Sequence, residues 1–109
     1  MTEQALIQIL ASLAIPDTLT NRNQLHVLIG AFEKFVERNA RYQDVWRESG
    51  WKGSLFDMRK KLTRIWRVFW RGEPTAQIDL ECDDAYDLIN FTVFFIRNVK
   101  DDNQWGQWG

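Results

Sequence analysis

Residues 78–99, IDLECDDAYDLINFTVFFIRNV, carry the pattern that decides the fold. Ile78, Cys82, Ala85, Ile89, Thr92, Ile96 and Val99 recur at alternating spacings of four and three, the period of one helix face. Leu88, Phe91 and Phe95 widen that face beyond a single seam. This long helix is therefore expected to be covered on two sides, by helices of its own chain and by a second subunit.

Toward the N-terminus, Leu55, Met58, Leu62, Ile65, Trp66 and Phe69 repeat at helical spacing and predict a helix over about 55–71. Ser54 and Asp57 resemble its N-terminal capping box, and Gly72 and Pro74 stop it. Arg41 to Gly53 lose the helical period and carry Tyr42, Trp46, Gly50, Trp51 and Gly53, an ordered aromatic-rich connection with room for one helical turn. Before it, Leu25, Leu28, Ile29, Phe32, Phe35 and Val36 mark a helix from Asn21 or Asn23 to about Ala40. Ala5, Leu6, Ile9, Leu10 and Leu13 mark a first one over about 3–14, ended by Pro16 and Asp17. There is no internal repeat and no strand pair with hairpin chemistry.

The expectation is an all-α domain of four helices, a bundle whose second, third and fourth members form an antiparallel core. Its parts are an N-terminal helix over 1–20, core helices over 21–100 and a tryptophan-rich tail over 101–109. The apolar circumference of the fourth helix predicts a homo-oligomer.

A chain of 109 residues is one domain's worth. With 45% hydrophobic and 27% charged residues it has ordinary globular composition, which argues against global disorder. The longest apolar run, Val93 to Ile96, falls far short of the roughly 18 residues a membrane helix needs. No basic stretch leads into an apolar one at the N-terminus, so neither a membrane span nor signal-directed secretion is expected. The single cysteine, Cys82, cannot form an internal disulfide, and the single histidine, His26, cannot build a zinc site with it. A cytoplasmic location is expected.

Residues 22–71 hold twelve Lys and Arg against five acids, a net of +7, whereas residues 72–109 hold eight acids against two bases, a net of −6. Such opposed halves suit internal pairing, or a site that needs cations for phosphates and carboxylates for a metal. No helix shows the pattern of a nucleic-acid reader, so no nucleic-acid polymer is expected as a partner.

Glu81, Asp84 and Asp87 lie three apart on the last helix, so neighbouring carboxylates can converge on one magnesium ion. Acids near a helix N-terminus are also favoured by the macrodipole with no ligand at all, but Asp87 lies two to three turns inside and borders the buried face. Lys60, Arg64, Arg67 and Arg71 form a cationic stripe that suits phosphate or serves as a solvated back face. Lys61 and Arg64 flank Leu62 and Ile65 and can reach the helix interface. Tyr42, Trp46 and Trp51 are able to stack a base or to act as core lids. Trp105 and Trp108 offer a partner-binding tail, or fold back over Arg67 and Arg71.

Three segments together resemble the MazG-like branch of all-α nucleotide pyrophosphatases known as nucleotide modification associated domains of phage and bacteria. Arg41-Tyr42-Gln43-Asp44-Val45-Trp46 is similar to a Tyr-Gly-x-x-Trp segment. Lys61-x-x-Arg64-Ile65 is similar to a Lys-x-x-Arg-Ile segment. Glu81-x-x-Asp84-x-x-Asp87-Leu88-Ile89-Asn90-Phe91 is similar to a Glu-x-x-Asp-x-x-Asp-Leu-x-Asn-Tyr helix. The likeness covers about residues 32–99.

The resemblance implies an oligomeric bundle that binds a nucleoside triphosphate and, in active relatives, uses magnesium to release pyrophosphate. Glu81, Asp84 and Asp87 would hold the metal, Lys61 and Arg64 would neutralise the leaving pyrophosphate, and Tyr42, Trp46 and Asn90 would line the substrate pocket. One departure stands out: MazG enzymes carry a Glu-x-x-Glu pair where this chain has Lys61 and Arg64. Glu33 and Glu37 are candidates to complete the cage from another helix. The alternative expectations are a nucleotide binder or sequestering protein without catalysis, and a protein-interaction module acting through the terminal tryptophans.

Overall fold

The computed structural model describes residues 1–73 and 83–102, which form four α-helices and no strand. None of these helices is long and apolar enough to cross a membrane. Helix α1 (Glu3–Ser12) begins where Thr2 Oγ1 accepts a hydrogen bond from the Ala5 amide at 3.2 Å. It buries Leu6 and Leu10, and Glu3 pairs with Arg22 on the next helix.

Helix α2 (Leu19–Tyr42) is capped by Thr18, whose hydroxyl accepts from the Asn21 amide at 3.1 Å. The start expected at Asn21 or Asn23 is thus one turn late, because Thr18 supplies the same acceptor earlier. At its end Gln43 and Asp44 take left-handed conformations with φ of 47° and 63°. Asn39 secures this turn, its amide bonding the Asp44 carboxylate at 2.9 Å and its oxygen accepting from the Asp44 amide at 3.1 Å.

A short 3₁₀ turn, Val45–Arg47, leads into α3 (Gly50–Ile65). The expected start at Ser54 is corrected here: Ser54 is a buried interior residue whose hydroxyl donates to the Gly50 carbonyl and accepts from Asn98. The helix starts at Gly50 because that residue, at a φ of 66°, turns the chain into it. After Ile65 it widens into a π-helical turn, Trp66–Trp70, in which the Arg71 amide bonds the Trp66 carbonyl at 3.2 Å. Gly72, also at a φ of 66°, ends it. Helix α4 runs from Asp83 to Asp102.

Helices α3 and α4 pack antiparallel along most of their length. Lys61 meets Asp84 and Asp87 at one end, while Trp51 meets Phe95 and Ser54 meets Asn98 at the other. Helix α2 lies across a second side of α4, with Asn90 Nδ2 donating to the Ala31 carbonyl at 2.9 Å and Phe35 against Phe94. Helix α2 hardly touches α3, so the expected three-helix antiparallel core is corrected to a central α4 flanked on two sides. The broad apolar face of α4 explains this arrangement, since it takes a helix on each side.

Among the described residues the buried set is small and mixed, with Leu6, Leu10, Ala31 and Val68 as its apolar members. Ser54, Asp87 and Asn98 are buried, whereas Phe32, Phe56, Phe69 and Trp70 are each at least 60% exposed. The radius of gyration is 16.2 Å, compared with roughly 13 Å for a compact domain of this length. Large apolar side chains on the outer faces of α2, α3 and the π-helical turn therefore stand in water in the isolated chain.

Candidate functional site

Five alternating charges join the three longer helices. Arg64 Nε lies 2.9 Å from Asp84 Oδ2, and Lys61 Nζ lies 3.2 Å from Asp84 Oδ1 and 3.1 Å from Asp87 Oδ2. Arg38, from α2, pairs with Asp87 Oδ1. All four carboxylate oxygens are thus engaged by cations, three cations to two anions within the row. Asp87 is almost fully buried, as a carboxylate can be only when it is paired and hydrogen-bonded. Arg38 and Arg64 keep 48% and 42% of their side-chain surface exposed, so both guanidinium side chains reach solvent.

Beside this row lies a cleft of about 390 Å³ between α2, the 3₁₀ turn and α4. Phe35, Tyr42, Trp46, Phe91 and Phe94 supply its aromatic walls, and Arg38, Asp57, Asp87 and Asn90 its polar edge. Trp46 is fixed by stacking on Phe94 at 4.6 Å with the planes 9° apart. The Arg97 guanidinium lies 4.3 Å from its ring centre. Its backbone carbonyl accepts from Asn98 Nδ2 at 3.3 Å and from Ser49 Oγ at 3.2 Å. The buried indole N–H has no acceptor among the described residues. Tyr42, at 62% exposure, is the accessible ring at the mouth. A larger hollow of about 500 Å³ lies along α3, lined by Leu55, Phe56, Met58, Leu62 and Leu88, but only Lys52 and Arg59 bring charge to it.

Of the residues expected from sequence, Lys61, Arg64, Asp84 and Asp87 converge in the charge row, and Asp87, Tyr42, Trp46 and Asn90 line the adjoining cleft. Trp51 points elsewhere, its edge against Phe95. Glu81, Cys82, Trp105 and Trp108 lie outside the described residues. Glu33 and Glu37 are exposed on α2, and among the described residues no group of three or more His, Cys, Asp and Glu side chains could hold a metal ion. Asp84 and Asp87, with every oxygen already on a cation, do not fit magnesium as they stand. Sequence reasoning missed Arg38 and Asp57. Arg38 follows Phe35 by three positions, which puts it at the edge of the apolar stripe; that spacing was the available signal. The chain matches no family model, no curated protein and no solved structure.

Proposed function

We propose that the protein is a MazG-like nucleotide-binding protein that takes a nucleoside polyphosphate across the charge row and the aromatic cleft. One observation carries this reading: Arg38 belongs to both, pairing with Asp87 while forming part of the cleft wall. Phosphates would lie along Arg38, Lys61 and Arg64, whose convergent donors and partial exposure favour an anion. The base would meet Tyr42 at the mouth, since Trp46 already has Phe94 on its ring. Asn90 and Asp57 would offer polar contacts to base or sugar.

The test is calorimetry with a panel of ribo- and deoxyribonucleoside triphosphates, repeated with Arg38→Gln and Tyr42→Ala. Binding to the unaltered chain that weakens in both variants supports the reading. Silence across the panel at millimolar nucleotide overturns it.

Magnesium-dependent release of pyrophosphate is a second reading, supported by the resemblance of the segment that carries Asp84 and Asp87 and opposed by the Lys61 ammonium between them. It requires Lys61 to leave both carboxylates, and pyrophosphate measurements on the same panel test it. A homo-oligomer accompanies either reading, supported by Phe32, Phe56, Phe69 and Trp70 in water on the isolated chain.

A further inference from the structure

We infer that the Lys61 ammonium takes the point between Asp84 and Asp87 at which a divalent cation would otherwise be held, so this site meets an anion without one. The ammonium touches one oxygen of each carboxylate, at 3.2 and 3.1 Å, from a facing helix. The remaining two oxygens are taken by Arg64 and Arg38. An ammonium has three donors and no acceptor, so two go to these acids and the point cannot coordinate anything as a ligand. A dication arriving there would sit within a few ångströms of a fixed positive charge that is about three-quarters buried, where repulsion is only partly screened. With Arg64 and Arg38 kept on the outer oxygens, magnesium in place of Lys61 would raise the charge of the row from +1 to +2. The same acids that would serve a metal thus hold basic groups in place for an anion.

That an anion is met here rests on the nucleotide reading, whereas the exclusion of a divalent cation does not, and its test contains no nucleotide. Manganese(II) is titrated into the full chain and followed both by loss of the free-ion paramagnetic resonance signal and by broadening of assigned amides. In the unaltered protein the amides of Asp84 and Asp87 stay sharp at about 1 mM metal. Lys61→Met, and separately Lys61→Gln in case the apolar variant fails to fold, opens the acid pair and tightens manganese binding there by at least about tenfold. Adding Asp87→Asn to either variant abolishes the gain. Saturable broadening of Asp84 and Asp87 in the unaltered chain overturns the inference on its own. So does a folded Lys61 variant that binds manganese no more tightly than the unaltered chain.

Discussion

The Lys61 ammonium lies 3.1 Å from the buried Asp87 carboxylate, and the same nitrogen reaches Asp84 one turn earlier on α4. One side chain of α3 thereby bridges two acids of α4, and Asp87 hands the connection on to Arg38 of α2. Removing Lys61 leaves two carboxylates short of a partner in a site with little access to water. Lys61→Met is expected to destabilise the fold by about 2–3 kcal/mol, somewhat less than the roughly 3–5 kcal/mol that breaking a fully buried pair costs, since Lys61 is one-quarter exposed. Urea unfolding measures it, and adding Asp87→Asn should recover part of the loss, a coupling that independent sites would not show.

Asn98 gives a second measurable link. Its buried amide donates to Ser54 Oγ at 3.1 Å and to the Trp46 carbonyl at 3.3 Å, joining α4 to α3 and to the 3₁₀ turn. Asn98→Ala should cost about 1–3 kcal/mol by removing the donor to Ser54 Oγ and one of the two donors to the Trp46 carbonyl, and by leaving a small void behind. Ser54→Ala should cost less, because it removes a single oxygen and leaves a smaller void, and the double variant should be less unstable than the sum.

Gly53 is set by close approach to its neighbour. A Cβ added there would stand 2.4 Å from Ser49 Cβ, an atom that moves only with the backbone. Alanine in a helix normally gains about 1 kcal/mol over glycine, yet Gly53→Ala is expected to lower the melting temperature. Ser49→Gly combined with Gly53→Ala should restore it, because the obstructing Cβ is then gone.

Phe32 and Phe69, each at least 60% exposed on the isolated chain, distinguish a self-associating protein from a monomer. In an assembly, Phe32→Glu or Phe69→Glu should shift the mass measured by light scattering down to that of one chain while helicity is kept. Light scattering that finds the unaltered protein monomeric at micromolar concentration would defeat the expectation.

Most of the architecture was legible because each helix repeats its apolar residues at helical spacing over several turns, from Leu25 to Val36 and from Leu55 to Phe69. Element starts were harder for a local reason and a distant one. Thr18, Asn21 and Asn23 are all competent caps, so composition does not choose among them. Ser54 looks like a cap, but its partner Asn98 lies 44 residues away, and no short-range signal announces that bond. Gly50 and Gly53 read as loop residues, yet one turns the chain into α3 and the other admits Ser49. In the site, Lys61 and Arg64 were legible from their places beside Leu62 and Ile65. Arg38 was not, because it sits among Glu33, Lys34, Glu37 and Arg41 and looks like part of a solvated face.

The uneven attachment of α4 to its two flanking helices bears on how the molecule breathes. Its seam with α3 is long, whereas α2 holds it through a few polar latches, Lys34 to Asp83, Arg38 to Asp87 and Asn90 to the Ala31 carbonyl, and through Phe35 against Phe94. Amide hydrogen exchange should therefore separate into two cooperative units, with α1 and α2 exchanging through a low-energy opening and α3 and α4 only through global unfolding. The cleft lies along the weaker of the two seams, so the motion that frees α2 is the one that widens it. A ligand seated there would slow exchange in α2 first, marking occupancy of the cleft by protection of a helix that supplies only one of its walls.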